Sequence, residues 1–327
     1  METGELAGAK FAIALPDQWN GKLLLLAHGF RPETAPLVAD LDPYKPFVRT
    51  LRSEGWMVAL TSYRRNGMIV RDGIADLESL RDYIANTYGE PKLGFVLGES
   101  MGGAIVTQLA ENFPEHYRGI VAIGAALELT ERDQPLVYNH KPQLPIIFLT
   151  NQSEIAEPTS YIAAVAKGTT LPVFWKVDRD GHVNVNDAEK LAAVHSIAEW
   201  AETSTSPHDR NGTVAPSPGP SQLTYNQDSS ATARVTDVSA VYGNFNVNIQ
   251  VSDFSRLRIK PHQFFEFVAG NKTFRVLYGS NFGDVPVGDW VAFPDAEGFT
   301  LFSKNFNNGA AAAHVKEGDL IAIRPAK

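Results

Sequence analysis

The densest chemical signal in the chain is Gly98-Glu99-Ser100-Met101-Gly102, followed by Gly103. It stands between an apolar run, Leu93–Leu97, and a segment with helical spacing, Met101–Phe113. A serine on a tight strand-to-helix turn has strained backbone angles, and glycines two residues to either side remove side chains that would collide. The helix start then offers backbone N–H groups and a positive dipole end to developing negative charge. The pattern predicts that Ser100 is the nucleophile of an acyl transfer; the plainer reading is a structural glycine-rich turn.

A serine hydroxyl is a weak nucleophile without a base. The chain has eight histidines. His182, in Asp178-Arg179-Asp180-Gly181-His182, directly follows the apolar run Pro172–Val177 and is the preferred base. His116 follows the elbow helix too closely to turn back, His195 lies inside a helical pattern, and His140 sits in a loop before a strand. His208 falls in a Ser/Thr/Pro-rich stretch, and His262 and His314 lie beyond it. The third member should orient the imidazole and stabilise its charged form. Glu154, in Asn151-Gln152-Ser153-Glu154-Ile155-Ala156-Glu157-Pro158 after Pro145–Thr150, is the preferred acid. Glu157 and Glu128 are the alternatives, and a surface carboxylate is the plainer reading of each. An oxyanion site needs two donors: the Met101 N–H, and the Phe30 N–H after the run Leu23–Ala27, with Gly29 allowing a close approach. His28, Gly29, Tyr63 and Arg64 are candidate pocket residues, although His28 reads better as a buried structural histidine. Such a set needs no metal and no cofactor. The absence of cysteine excludes disulfides, thiolate metal sites and a cysteine nucleophile.

These residues need a scaffold, and the hydropathy pattern describes one. A length of 327 residues suggests two domains. In the first, the runs Ala9–Leu15, Lys22–His28, Trp56–Thr61, Leu93–Leu97, Gly119–Gly124, Pro145–Thr150 and Pro172–Val177 predict strands. Several are continuously apolar, as in strands buried on both faces of a parallel sheet. Between them, Asp72–Tyr88 places Ile74, Leu77, Leu80, Ile84 and Tyr88 at helical spacing, and Met101–Phe113 and Asp187–Glu202 read as helices. The alternation predicts an α/β fold, an open parallel sheet with helices on both faces, over residues 1–202. Residues 203–233 are rich in Ser, Thr and Pro and read as a linker. Residues 234–327 hold eleven of the 18 phenylalanines and short runs such as Phe245–Val251 and Phe264–Ala269, which predict a small all-β barrel or sandwich.

With His28-Gly29, the Ser100 elbow, the acid candidates and Gly181-His182 in this order, residues 9–202 resemble the α/β-hydrolase family of serine esterases. The resemblance implies an eight-stranded sheet or a close relative, and hydrolysis through an acyl-enzyme. Only Ala125–Gln143 is available for a cap, so the cap should be minimal and the acyl or aryl group short. Residues 235–327 resemble the C-terminal β domain of the SAM-dependent chlorinase/fluorinase and hydroxide adenosyltransferase family. The matching residues are Tyr242-Gly243-Asn244-Phe245-Asn246-Val247-Asn248-Ile249, Val285-Pro286-Val287-Gly288-Asp289, Asn308-Gly309-Ala310-Ala311 and Lys316-Glu317-Gly318-Asp319. In that family the domain helps to hold SAM, and Asn244 matches one such position. However, Ala240 replaces the usual aspartate, and residues 1–202 do not resemble the family's SAM-binding N-terminal domain. SAM chemistry is therefore not expected. Substrate presentation, a subunit contact that makes a homo-oligomer, or a wall on the esterase cleft is.

The net charge is −8, with +1 on residues 234–327 and hence −9 on residues 1–233. Neither part carries a basic nucleic-acid footprint. No apolar run is long enough to span a membrane, and Met1–Lys10 lacks the pattern of a signal peptide. The expected function is a serine carboxylesterase acting on small or polymer-linked esters, such as acetyl or feruloyl groups on carbohydrate, or polyesters. The competing readings are a serine peptidase of the same fold and a non-catalytic binding or assembly protein that uses the β domain.

Overall fold

A computed structural model describes residues 1–326. The chain forms two compact units, Met1–Val214 and one that begins at Ala215. The first unit contains strands β1 (Glu2–Leu6), β2 (Ala9–Ala14), β3 (Lys22–Ala27), β4 (Met57–Thr61), β5 (Leu93–Glu99), β6 (Gly119–Ile123), β7 (Thr130–Glu131), β8 (Gln134–Pro135), β9 (Ile146–Asn151), β10 (Val173–Val177) and β11 (Arg210–Asn211). Its helices are α1 (Pro46–Ser53), α2 (Val70–Tyr88), α3 (Met101–Asn112), α4 (Ala156–Ala164) and α5 (Asp187–Thr203).

Nine of these strands form one sheet in the order β1-β2-β4-β3-β5-β6-β9-β10-β11. From β4 to β11 all pairings are parallel, and every residue of β4, β6 and β9 is buried. This is why their sequences are continuously apolar rather than alternating. One core, with Phe47, Leu51 and Val194, packs α1 and α5 on one face. The other, with Leu77, Leu80, Ile105 and Leu109, packs α2 and α3 on the opposite face. The result is the expected α/β-hydrolase fold. Strand β3 lies between β4 and β5, so the chain leaves β3 towards one face and β5 towards the other. The carboxyl ends of strands at such a switch point are where open α/β sheets bind ligands. Residues β7 and β8 form a separate two-stranded ribbon, the whole regular structure of the cap.

The sheet has one strand more than expected at either edge. At one, β1 pairs antiparallel with β2 through a turn at Ala7 and Gly8, both with positive φ. At the other, β11 comes from the segment read as linker. Residues 203–233 are in fact divided between the two units. The Phe174 N–H donates to Asp209, the Asp178 N–H donates to Thr213, and the Val214 N–H donates to Glu189. The Arg210 guanidinium lies 3.7 Å from the Trp175 ring centre. Polar side chains meeting a strand's backbone hold this segment, and its lack of apolar residues gives no sign of that.

The second unit contains β12 (Thr224–Tyr225), β13 (Ala231–Val238), β14 (Phe245–Val247), α6 (Val251–Arg256), β15 (Phe264–Ala269), β16 (Lys272–Tyr278), β17 (Trp290–Pro294), β18 (Thr300–Lys304), α7 (Gly309–Ala313) and β19 (Leu320–Pro325). Seven strands close in the order β13-β14-β18-β17-β16-β15-β19, because β19 pairs with both β15 and β13. Closure leaves these seven strands without a free edge, so they form a barrel, with the two-residue β12 added outside on β13. Its interior holds the fully buried Phe245, Phe265, Phe267 and Phe302, which accounts for the phenylalanine-rich composition. Among the described residues no helix is long and apolar enough to cross a membrane.

Candidate active site

Ser100 occupies the turn between β5 and α3 with φ 57° and ψ −118°. A non-glycine residue held there costs about 1–3 kcal/mol, which the surroundings must offset. The Ser100 N–H donates to the Ile123 carbonyl at 2.9 Å, and its carbonyl accepts from the Gly103 N–H at 2.8 Å. The flanking glycines are steric necessities. A Cβ on Gly98 would stand 2.1 Å from the Gly102 oxygen, and one on Gly102 would stand 1.9 Å from the Ala27 oxygen.

His182 lies on the loop after β10, with Nε2 2.7 Å from Ser100 Oγ and Nδ1 2.5 Å from Glu154 Oε2. Glu154 follows β9 in a short 3₁₀ turn, and its second oxygen accepts from the Val183 N–H at 3.1 Å. The carboxylate at Nδ1 favours the tautomer protonated there, which leaves the Nε2 lone pair for the serine hydroxyl. The hydrogen bond to Glu154 raises the His182 pKa above its ordinary 6.5, burial opposes this, and the charges of Glu154, Glu99 and Glu157 add to the rise. A hydroxyl, an imidazole and a carboxylate aligned in this way can activate an oxygen nucleophile near neutral pH.

The loop that carries His182 is tightly fastened. Asn151, fully buried at the end of β9, donates to the Arg179 and Asn184 carbonyls and accepts from the Asn184 N–H. Ser153 exchanges two hydrogen bonds with the Gly181 backbone. Arg179 pairs with the buried Glu189 of α5. The sequence reading passed over Asn151, Ser153 and Arg179. The only available signal was a polar cluster ending an apolar strand, and such clusters are common.

The alternative acids lie elsewhere. Glu157, on α4, accepts from the Leu127 and Glu128 N–H groups at 2.5 and 2.9 Å and so fastens the start of the cap. Glu128 contributes that N–H, and no hydrogen bond joins its carboxylate to His182.

Gly29 follows β3, whose Ala27 is in register with Gly98 of β5. A Cβ on Gly29 would stand 3.1 Å from both the Glu99 oxygen and Ser100 Cβ, so the Gly29–Phe30 backbone passes directly beside the serine. Met101 begins α3, where N–H groups have no intrahelical acceptor. The pocket role expected of Tyr63 is corrected. Its ring is fully buried against His28, with ring centres 4.1 Å apart, and its hydroxyl donates to the His28 carbonyl at 3.2 Å. His28 in turn faces the Gly29 and Ser62 carbonyls. Burial first, and the Arg31 charge second, lower its pKa to about 4. Both residues support the loop from below. Arg64 is held by Asp76, which accepts from its guanidinium and its backbone N–H. Among the described residues no group of three His, Asp or Glu side chains could hold a metal ion.

Residues 67–167 match a family model described as serine aminopeptidase, S33. That stretch contains α2, the Ser100 elbow, the cap and Glu154, and ends before His182. No curated protein matches the chain. Among solved structures, an uncharacterized conserved protein from Thermotoga maritima is 29% identical over 29% of this chain and 35% of its own, with a TM-score of 0.27. The chain thus spans about a third of that protein's length. The Pyrococcus furiosus esterase Pf2001 is 15% identical over 62% of this chain and 89% of its own, with a TM-score of 0.45. Est1E from Butyrivibrio proteoclasticus is 14% identical over 62% of this chain and 97% of its own, with a TM-score of 0.42. The first unit thus has the α/β-hydrolase fold, with Ser100 at the turn from β5 to α3.

Proposed function

We propose that the first unit is a serine carboxylesterase. The observation that carries this reading is the pair of hydrogen bonds from His182, to Ser100 Oγ at 2.7 Å and to Glu154 Oε2 at 2.5 Å. In this reading Ser100 attacks the ester carbonyl while His182 Nε2 takes its proton. The Phe30 and Met101 N–H groups stabilise the tetrahedral oxyanion, and loss of one such donor typically costs ~10²–10³ in rate. His182 then protonates the departing alkoxide. Water, activated by the same imidazole, releases the acid from Ser100. Glu154 keeps the imidazole in the required tautomer and stabilises its charged form.

Two features favour esters carried on small molecules or exposed on polymers. The cap contains only the two-residue strands β7 and β8, and the His182 side chain is 47% exposed. A peptidase is the second reading, favoured by the match of residues 67–167 to a serine aminopeptidase family. We further propose that the barrel serves substrate presentation or self-association rather than SAM chemistry.

The deciding experiment measures p-nitrophenyl acetate and aminoacyl p-nitroanilide hydrolysis by the full chain, with Ser100→Ala as control. Ester turnover that disappears in the variant supports the esterase. Turnover confined to the anilide favours the peptidase, and equal turnover by both proteins removes Ser100 from the mechanism.

A further inference from the structure

Glu99 belongs to the elbow motif but has no part in the set of Ser100, His182 and Glu154. It is the last residue of β5, and the next residue, Ser100, has Oγ 2.7 Å from His182 Nε2. The Glu99 carboxylate meets Lys190 Nζ at 2.6 Å, and both side chains are partly buried. Lys190 lies in the first turn of α5, the helix that follows the His182 loop. The ion pair therefore joins the turn that carries the nucleophile to the helix that ends the loop of the base.

An isolated, partly exposed ion pair contributes little to stability. The first turn of a helix is also a poor place for a cation, because the positive end of the dipole lies there. α5 otherwise follows this preference, with Asp187 and Glu189 in the same turn. Glu99 is the group that offsets the misplaced charge of Lys190. Other charged groups around the base have separate ties. Glu154 holds the ring, and Glu157 fastens the cap. On the His182 loop, Arg179 pairs with Glu189 and Asp180 accepts from Gln152. Asp187 accepts from the Phe47 N–H, and Arg31, after β3, pairs with Asp40. After Glu154, Glu99 is the carboxylate whose charge most favours protonated His182.

We propose that Glu99 and Lys190 are positioning residues that set the charge felt by His182. Glu99 stabilises the imidazolium that forms as the Ser100 proton moves to Nε2. Lys190 offsets Glu99, so that the imidazole stays neutral, and able to accept that proton, near neutral pH. This rests on the reading of Ser100 as nucleophile and His182 as base.

Opposite effects of the two partners separate this role from a structural tie. The readout is kcat/KM for p-nitrophenyl acetate against pH, on the full chain. Glu99→Gln should move the rise of activity to lower pH by about half a unit, which is about threefold in the balance of neutral and charged imidazole. Lys190→Met should move it to higher pH by a similar amount. The double variant should return it close to the wild-type position, and Lys190→Arg should hold it there. Loss of a merely structural tie would lower kcat in both single variants with no displacement, or displace both in the same direction. Each single variant decides by the sign of its own displacement, so one that fails to fold leaves the other as the test. No displacement, or the opposite sign, overturns the proposal while the esterase reading stands. Ester turnover that persists in Ser100→Ala ends both.

Discussion

His182 is under two opposing influences. Partial burial favours its neutral form, while Glu154 favours the charged one, and the balance lies with Glu154. In the proposed mechanism only neutral His182 accepts the serine proton, so a raised pKa moves the rise of activity to higher pH. kcat/KM should climb through one step centred above pH 6.5, the ordinary histidine value. His28 adds no second step above pH 5, because its pKa lies at about 4. Glu154→Gln should move the step down and lower kcat by up to ~10⁴, through loss of both the charge and the tautomer control. Glu157→Gln should move the step down only slightly, since its charge is the smallest contribution to the raised pKa and its carboxylate holds the Leu127 and Glu128 N–H groups. pH–rate profiles of the two variants check the assignment, and a larger kcat loss in Glu157→Gln would reverse it.

At the level of elements, the catalytic geometry depends on how the end of β9 clamps the loop after β10. Asn151→Ala would leave the Asn184 N–H and two carbonyls without this partner. Unsatisfied buried groups cost ~1–3 kcal/mol each, so denaturant unfolding should show a loss of a few kcal/mol. Because the clamp fixes Arg179 and Asn184 on either side of His182, kcat should fall much more than KM rises. A variant with normal kcat would mean that the loop holds His182 without Asn151. The cap has an equivalent fastening at its far end, where the buried Glu111 accepts from the Asn139 and His140 N–H groups and from Tyr161. Glu111→Ala should destabilise the protein by at least ~2 kcal/mol, which denaturant unfolding checks.

For the whole molecule, each unit has its own core, and Ser100, His182 and Glu154 all lie in the first. A chain ending at Val214 should therefore stay folded and hydrolyse small activated esters. A chain ending at Glu202 should be less stable, because it loses β11 and the contacts of Asp209, Thr213 and Val214 to β10 and α5. Thermal melts and p-nitrophenyl acetate assays on both truncations check this. Inactivity of a well-folded 1–214 fragment would mean that catalysis requires the second unit.

Much of this molecule was legible in the sequence where the signal is local. Buried parallel strands must be continuously apolar, and a strained elbow must have glycines at 98 and 102, so both features stand out in one dimension. The order of Ser100, Glu154 and His182 also follows chain order in this fold. The choice of Glu154 over Glu157 was different. Both residues closely follow β9, and only the 3₁₀ turn and the hydrogen bond to Val183 decide which carboxylate faces the imidazole. The sequence left Tyr63 open between pocket and loop for a similar reason, because a residue just after a strand can turn outward or into the core with the same spacing, and here its ring is buried. β11 was invisible, because its pairing uses backbone groups and polar side chains that leave no hydropathy pattern. Long-range hydrogen bonds are set by where loops meet in three dimensions, and the sequence of either partner alone does not record them.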